Sequence, residues 1–205
     1  MTDGLVVGSD GLARCAWAAS TADYRAYHDE EWGRPVRGDL GIFERLSLEA
    51  FQSGLSWLTI LRKRAAFRDA FAGFDPRTVA AYGPPDVDRL LSDPGIVRNR
   101  SKIEATIANA QTLVAWQERE DEGALDRLVW SYRREVTPPL TLADVPAQTP
   151  ESIALARALR DRGWRFIGPT TAYAALQAMG VANDHLVGCA ARAWVQEGLA
   201  VPRRG

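Results

Sequence analysis

Apolar positions recur at steps of three and four through residues 42–61, and they predict an amphipathic helix that ends at Gly54 and restarts near Ser56. Phe43, Leu46, Ser47, Ala50 and Phe51 share one face. Glu49 lies beside it, three residues after Leu46 and seven after Ile42. A carboxylate on an apolar margin needs a partner, because burying it alone is costly. Gly54-Leu55-Ser56-Trp57 then interrupts the helix and presents an aliphatic side chain and an indole on a tight turn. A recessed acid, an aromatic plate and a projecting apolar residue suit the gripping of a flat ring. They equally suit a core helix with a snorkelling Glu and a packed Trp.

The same periodicity predicts helices over 59–71, 77–82 and 86–92, with Asp75 as a cap and Gly83-Pro84-Pro85 as a break. Asp93-Pro94-Gly95 stops one helix, and another starts near Asn99 or Arg100 and runs to about Trp116. Arg98, Arg100 and Lys102 cluster at that joint, where free helix amides also point. A phosphate site and an ordinary helical hairpin with solvated cations both fit.

Further helices are expected at about 123–132, 151–162 and 171–179, with proline-rich 137–150 as an extended loop. A short helix is expected within 23–33, stopped by Gly33, and a last one opens at Asn183-Asp184-His185. Residues 1–12 read as a poorly ordered arm and no strand alternation is evident, so the fold class expected is all-α. The organisation expected is one domain over 1–205. Its central helical lobe spans about 40–115, with the hairpin near 93–103, and a second lobe combines 13–35 with 116–190.

Bulk composition narrows the class. With 46% hydrophobic and 25% charged residues the chain is ordinary for a globular protein, and no apolar run approaches a membrane span. The N-terminal stretch lacks the basic flank and apolar core of a secretory signal, which points to the cytoplasm. Net charge is −1, so bulk charge does not advertise nucleic-acid binding. Of the 25 cations all but Lys63 and Lys102 are Arg, which suits bidentate phosphate contacts, though a composition bias gives the same count.

The chain has two Cys and two His. His185 and Cys189 stand at i and i+4, on one face if that segment is helical, and Cys15 and His28 complete a Cys2His2 set suited to tetrahedral zinc. Four protein ligands leave no open position, so such a zinc is structural, one per chain. Two free buried Cys and two ordinary His are the competing reading.

Taken in order, several stretches resemble the 3-methyladenine DNA glycosylase I family, a helix-hairpin-helix group of base-excision enzymes. They are Arg14-Cys15-Ala16-Trp17, the run from Tyr27 to Gly33, Leu48-Glu49-Ala50-Phe51-Gln52-Ser53-Gly54-Leu55-Ser56-Trp57, Gly95-Ile96-Val97-Arg98, Phe166-Ile167-Gly168-Pro169-Thr170, and Asn183-Asp184-His185 followed by Cys189. Ala50 and Ser53 are mild departures, standing where Gly and Ala are common in the family.

The resemblance implies two helical lobes and a zinc clip of Cys15, His28, His185 and Cys189 joining the N- and C-terminal segments. It implies a base pocket of Glu49, Trp17, Tyr27 and Trp57, with Tyr24 and Tyr173 near it. Double-stranded alkylated DNA is the implied partner, contacted by the turn Gly54, Leu55 and Ser56 and by Gly95, Ile96, Val97, Arg98, Arg100 and Lys102. The activity implied is monofunctional hydrolysis of the N-glycosidic bond of N3-methyladenine, with Asp29 and Glu30 as candidate assistants to water; a monomer is expected. Three alternatives stay open: a non-catalytic module that binds damaged or bent DNA, a lyase using Lys102 as a Schiff base, and zinc-dependent hydrolysis.

Overall fold

The computed structural model describes residues 4–133 and 137–197. Ten α-helices occur among them: α1 Ala22–Glu30, α2 Asp39–Gln52, α3 Trp57–Ala70, α4 Pro76–Ala80, α5 Pro84–Ser92, α6 Arg100–Arg119, α7 Ala124–Trp130, α8 Pro150–Asp161, α9 Pro169–Ala178 and α10 Ala190–Glu197. No helix among the described residues is long and apolar enough to cross a membrane.

Two compact units divide the chain. The first is Met1–Val36, Arg133–Ala147 and Leu176–Gly205; the second is Arg37–Tyr132 and Gln148–Ala175. These bounds differ from the lobes expected from sequence, which cut near 115 and sent 148–175 elsewhere. The reason is side-chain pairing. A cut at 115 would sever α6, a single helix of 20 residues. Trp164 lies edge-on to Phe43 with ring centroids 6.1 Å apart, and Asn109 both donates to Arg165 O (3.1 Å) and accepts from Arg165 N (2.8 Å). The segment after α8 is thereby tied to α2 and α6.

The second unit is built on aromatic packing. The apolar face of α2 is fully buried and Phe51 meets Phe67 of α3 at 4.7 Å, while Phe71 and Phe74 stack at 5.4 Å. Burial of rings of this size is the main source of cohesion. Caps set the helix starts: Thr78 N donates to Asp75 at 2.8 Å to open α4, and Lys102 N donates to Asn99 at 3.1 Å to open α6. Asp39, at the start of α2, accepts from Gln117 Nε2 (2.7 Å), Gly123 N (3.0 Å) and Asp126 N (2.9 Å) and so fixes the entry to α7.

The first unit departs from the expected pattern at both ends of the chain. Residues 5–15 are a β-hairpin, not a loose arm: β1 Leu5–Val7 pairs antiparallel with β2 Ala13–Cys15, Val6 opposite Arg14. Asp10 in its turn is held by Arg14 Nη1 at 2.9 Å and by Arg25. The ladder is three residues long, too short for alternation to register. The helix expected from Asn183 instead begins at Ala190. Residues 183–189 are a loop in which Asn183 Oδ1 accepts from His185 N (3.3 Å) and Cys189 N donates to Leu186 O (3.0 Å).

Candidate functional site

Within the first unit, β2 ends at Cys15 and a 3-10 turn Ala16–Ala19 carries Trp17 directly after it. Helix α1 supplies His28 from its last turn, and the 183–189 loop supplies His185 and Cys189. Ligand atoms of Cys15, His28 and Cys189 lie within 4.8 Å of one another, all three residues buried. His185, expected to join them from a helical i, i+4 face, lies on the loop and outside this group of three; its ring centroid is 4.8 Å from that of His28.

Surrounding groups orient this set. His28 Nδ1 faces Asp29 Oδ1 at 2.8 Å, leaving Nε2 toward Cys189 Sγ at 3.4 Å. Asp29 accepts in turn from Arg14 Nε at 3.0 and 2.9 Å. His185 Nδ1 faces Asn183 Oδ1 at 2.9 Å, and its Nε2 is buried with no hydrogen-bond partner among the described residues. Leu186 N donates to Cys15 Sγ at 3.5 Å. A Cβ on Gly33 would lie 2.9 Å from His185 Cε1, so the close approach of the ring requires the glycine, which also holds φ at +80°. Nδ1 of each His is thus committed, and the ligand atoms of Cys15, His28 and Cys189 converge, an arrangement compatible with a metal whose ligating His is oriented by a second layer.

The electrostatics follow that geometry. The Cys15 hydrogen bond pulls the Cys189 thiol below the usual thiol range against burial, with His28 adding to the pull, while the same bond and burial push Cys15 up. Burial pulls His28 down, but Asp29 and Cys189 outweigh it and the ring is raised overall. Burial takes His185 down to about 3, helped by the nearby His28 charge. Trp17 and Trp32 wall the cluster. Trp17 lies edge-on to His28 at 5.1 Å, to Trp32 at 5.1 Å and to Tyr24 at 5.7 Å, and Trp32 approaches His185 to 4.5 Å. Tyr27 is buried on α1. Arg14, Trp32 and Asn183 were missing from the expected site residues, although each stands within four residues of a Cys or His in the chain. Asp29, a candidate assistant to water, is spoken for by Arg14 and His28.

In the second unit, Glu49 sits on α2 at 5% exposure. Burial raises its pKa to about 8, and the Arg45 guanidinium one turn back works against the rise. Burial thus favours the neutral acid over the carboxylate. Three residues later α2 ends. The turn that follows carries Gly54 at φ +81°, and Leu55 is 41% exposed at its tip. Leu55 N donates to Gln52 O (2.7 Å), Gln52 Nε2 donates to Leu55 O (3.1 Å), and Ser56 Oγ caps α3 by accepting from Thr59 N (3.3 Å). Trp57 opens α3 half-buried, and Tyr173 is buried on α9.

The helix–loop–helix joint lies between α5 and α6. Gly95 N donates to Asp93 Oδ1 at 2.7 Å, Ile96 is buried, and Arg98 and Arg100 are exposed. Arg100 lies 3.4 Å from Asp88 and 3.5 Å from Glu104. Lys102 was expected at the surface beside them. It is buried instead, and Nζ donates to Phe51 O at 2.8 Å and Ser53 O at 2.6 Å. Burial lowers its pKa.

Comparison with known proteins agrees with the motif order. The model of the methyladenine glycosylase family matches residues 17–193. DNA-3-methyladenine glycosylase 1 of Escherichia coli (strain K12) is 44% identical over 181 residues, covering 87% of this chain and 96% of that protein. A crystal structure of 3-methyladenine DNA glycosylase I is similar with a TM-score of 0.82 at 43% identity, covering 86% of this chain and 98% of the other. A 3-methyladenine DNA glycosylase I from Staphylococcus aureus, solved for the structural basis of its 3-methyladenine recognition, gives 0.80 at 34% identity, covering 87% and 96%. The chain belongs to the methyladenine glycosylase family.

Proposed function

We propose that this protein is a base-excision repair glycosylase that flips N3-methyladenine out of double-stranded DNA, hydrolyses its N-glycosidic bond and leaves an abasic site. Beside family membership, the observation that carries the reading is Glu49, a buried acid with its pKa raised to about 8, one turn before an exposed apolar turn.

A base in duplex is out of reach until it is extruded. Leu55 fills the vacated space. The helix-hairpin-helix at Gly95-Ile96-Val97-Arg98, with Arg100, holds backbone phosphates. The resemblance implies that Trp17, Tyr27 and Trp57 stack on the flipped base; stacking of this kind contributes roughly 1–3 kcal/mol per base.

Methylation at N3 makes adenine cationic, so the ring already departs readily and needs little acid assistance. Aromatic faces favour a cation over a neutral ring. Glu49, neutral while its surroundings are apolar, ionises when a cation arrives and then accepts a charge-assisted hydrogen bond from the adenine edge. A neutral base brings no charge to lower that pKa. Selectivity therefore follows from the same desolvation that raises it.

Cys15, His28, His185 and Cys189 fit a structural zinc: two buried thiols, two oriented imidazoles and an orphaned buried Nε2 on His185. When bound, the metal supplies cross-linking and no open position for chemistry.

Base release from alkylated duplex, followed by mass spectrometry, tests the reading. The unmutated protein is expected to release 3-methyladenine, Glu49→Gln to release it at least 10-fold more slowly, the scale of a lost charged hydrogen bond, and Trp57→Ala to be slowed on the scale of a lost stacking contact. Tight binding of damaged duplex without any release would establish the non-catalytic alternative.

A further inference from the structure

The chain has two lysines, Lys63 and Lys102, and each ties down the turn that precedes the other's helix. Lys102 lies on α6, just after the α5–α6 joint, and its ammonium reaches back to the α2–α3 turn at Phe51 O (2.8 Å) and Ser53 O (2.6 Å). Lys63 lies on α3, just after the α2–α3 turn, and its ammonium reaches the α5–α6 joint at Pro94 O (2.7 Å) and Gly95 O (3.3 Å).

Both sets of acceptors are backbone carbonyls near helix ends, which a helix leaves without internal partners and where its dipole favours a cation. Close packing supports the second tie: a Cβ on Gly95 would stand 2.9 Å from Ala66 Cβ of α3. The choice of residue fits as well. Elsewhere the chain's cations are Arg. A compact ammonium with three donors serves two carbonyls as a point charge, without the room that a planar guanidinium takes up.

We propose that Lys63 and Lys102 are a reciprocal brace that joins the Leu55 turn and the Gly95 joint into one rigid reading head, with Lys102 a positioning residue for extrusion of the base. It contacts neither phosphate nor sugar. This rests on the proposed function for its consequence in catalysis, but the brace itself can be judged without it. The expected gain is geometric: with Phe51 O and Ser53 O pinned, the exposed Leu55 enters DNA from a turn that needs no ordering at that moment.

The experiment compares the unmutated protein with Lys102→Met, Lys102→Arg and Lys63→Met. In Lys102→Met, amide hydrogen exchange of Leu55, whose N–H closes the turn on Gln52 O, is expected to accelerate at least 10-fold; in Lys63→Met the acceleration falls at Gly95. Single-turnover base release by Lys102→Met should drop about 10- to 100-fold, the scale of a misplaced functional group. The DNA dissociation constant should change little, and the slope of log affinity against log salt not at all. Lys102→Arg should not restore the rate.

A phosphate contact would give the opposite pattern, with unchanged exchange and a slope shallower by about 0.9. That result overturns the proposal, as does a borohydride-trapped DNA adduct that disappears in Lys102→Met. If Lys102→Met does not fold, half-buried Lys63→Met carries the exchange test alone, and unchanged exchange at Gly95 overturns the brace. Failure of the unmutated protein to release base would sink the proposed function while leaving the exchange result to decide the brace.

Discussion

The Cys/His cluster of the first unit and Glu49 of the second are both buried and polar, yet they are held in opposite ways. Around the cluster, Asp29, Asn183 and the Leu186 amide each take one atom of a His or Cys and orient it. The ligand atoms of Cys15, His28 and Cys189 already lie within 4.8 Å of one another. Glu49 has Arg45 one turn back as its electrostatic relief, and burial prevails. The first arrangement is that of a site made to keep its shape. The second keeps a carboxyl desolvated, which under the proposed function is relieved by a cationic base. Structural permanence and selectivity thus call for different surroundings to similar groups.

The largest break in this comparison should come from the cluster. Cys189→Ala is expected to lose the one zinc per chain that plasma mass spectrometry should find in the unmutated protein. It should also lower the melting midpoint by roughly 10 °C or more, since structural zinc contributes many kcal/mol. A variant that keeps both zinc and midpoint would show that the cluster is not a metal centre.

Next in size is Glu49→Gln. An acid whose folded pKa is raised contributes stability that is intact below its ordinary value of 4.5 and is lost as pH climbs toward about 8. The Gln variant should therefore equal the unmutated protein below about pH 4.5 and exceed it by a few kcal/mol at pH 8 and above, at about 1.4 kcal/mol per pH unit between. Urea unfolding at both ends of that window checks the sign. A variant that is more stable and less active would mark Glu49 as desolvated for function; equal stability at pH 8 would place the carboxyl in water.

A smaller effect separates the cluster's ligands from the groups that orient them. Asn183→Ala should weaken zinc affinity roughly 10- to 100-fold without abolishing it, read by competition with a chromophoric chelator. The smallest is outside both sites: Asp75→Ala removes the α4 cap and should cost about 1 kcal/mol with no change in base release.

Much of the second unit was legible because its signals are local. The stop at Gly54, the caps at Asp75 and Asn99 and the 3.6-residue stripe of α2 depend on neighbours within a few positions. The β1–β2 hairpin was missed although Gly8-Ser9-Asp10-Gly11 is a turn signal, because three-residue strands carry too little alternation. His185 and Cys189 were read as a pair on a helix, but spacing at i and i+4 does not distinguish a helix from a loop such as this one, which turns at Gly188 with φ +87°.

By itself the sequence determined the helix punctuation, the inventory of two Cys and two His, the order of motifs along the chain and, through them, the family. Tertiary structure alone decided which orienting groups meet those ligands, that Glu49 loses its water, and that the two lysines grip carbonyls 51 and 49 positions before one of them and 31 and 32 after the other. The physical reason is range. Caps and periodicity act over one or two turns, whereas desolvation and lysine–carbonyl ties depend on which distant segments the packed core brings together.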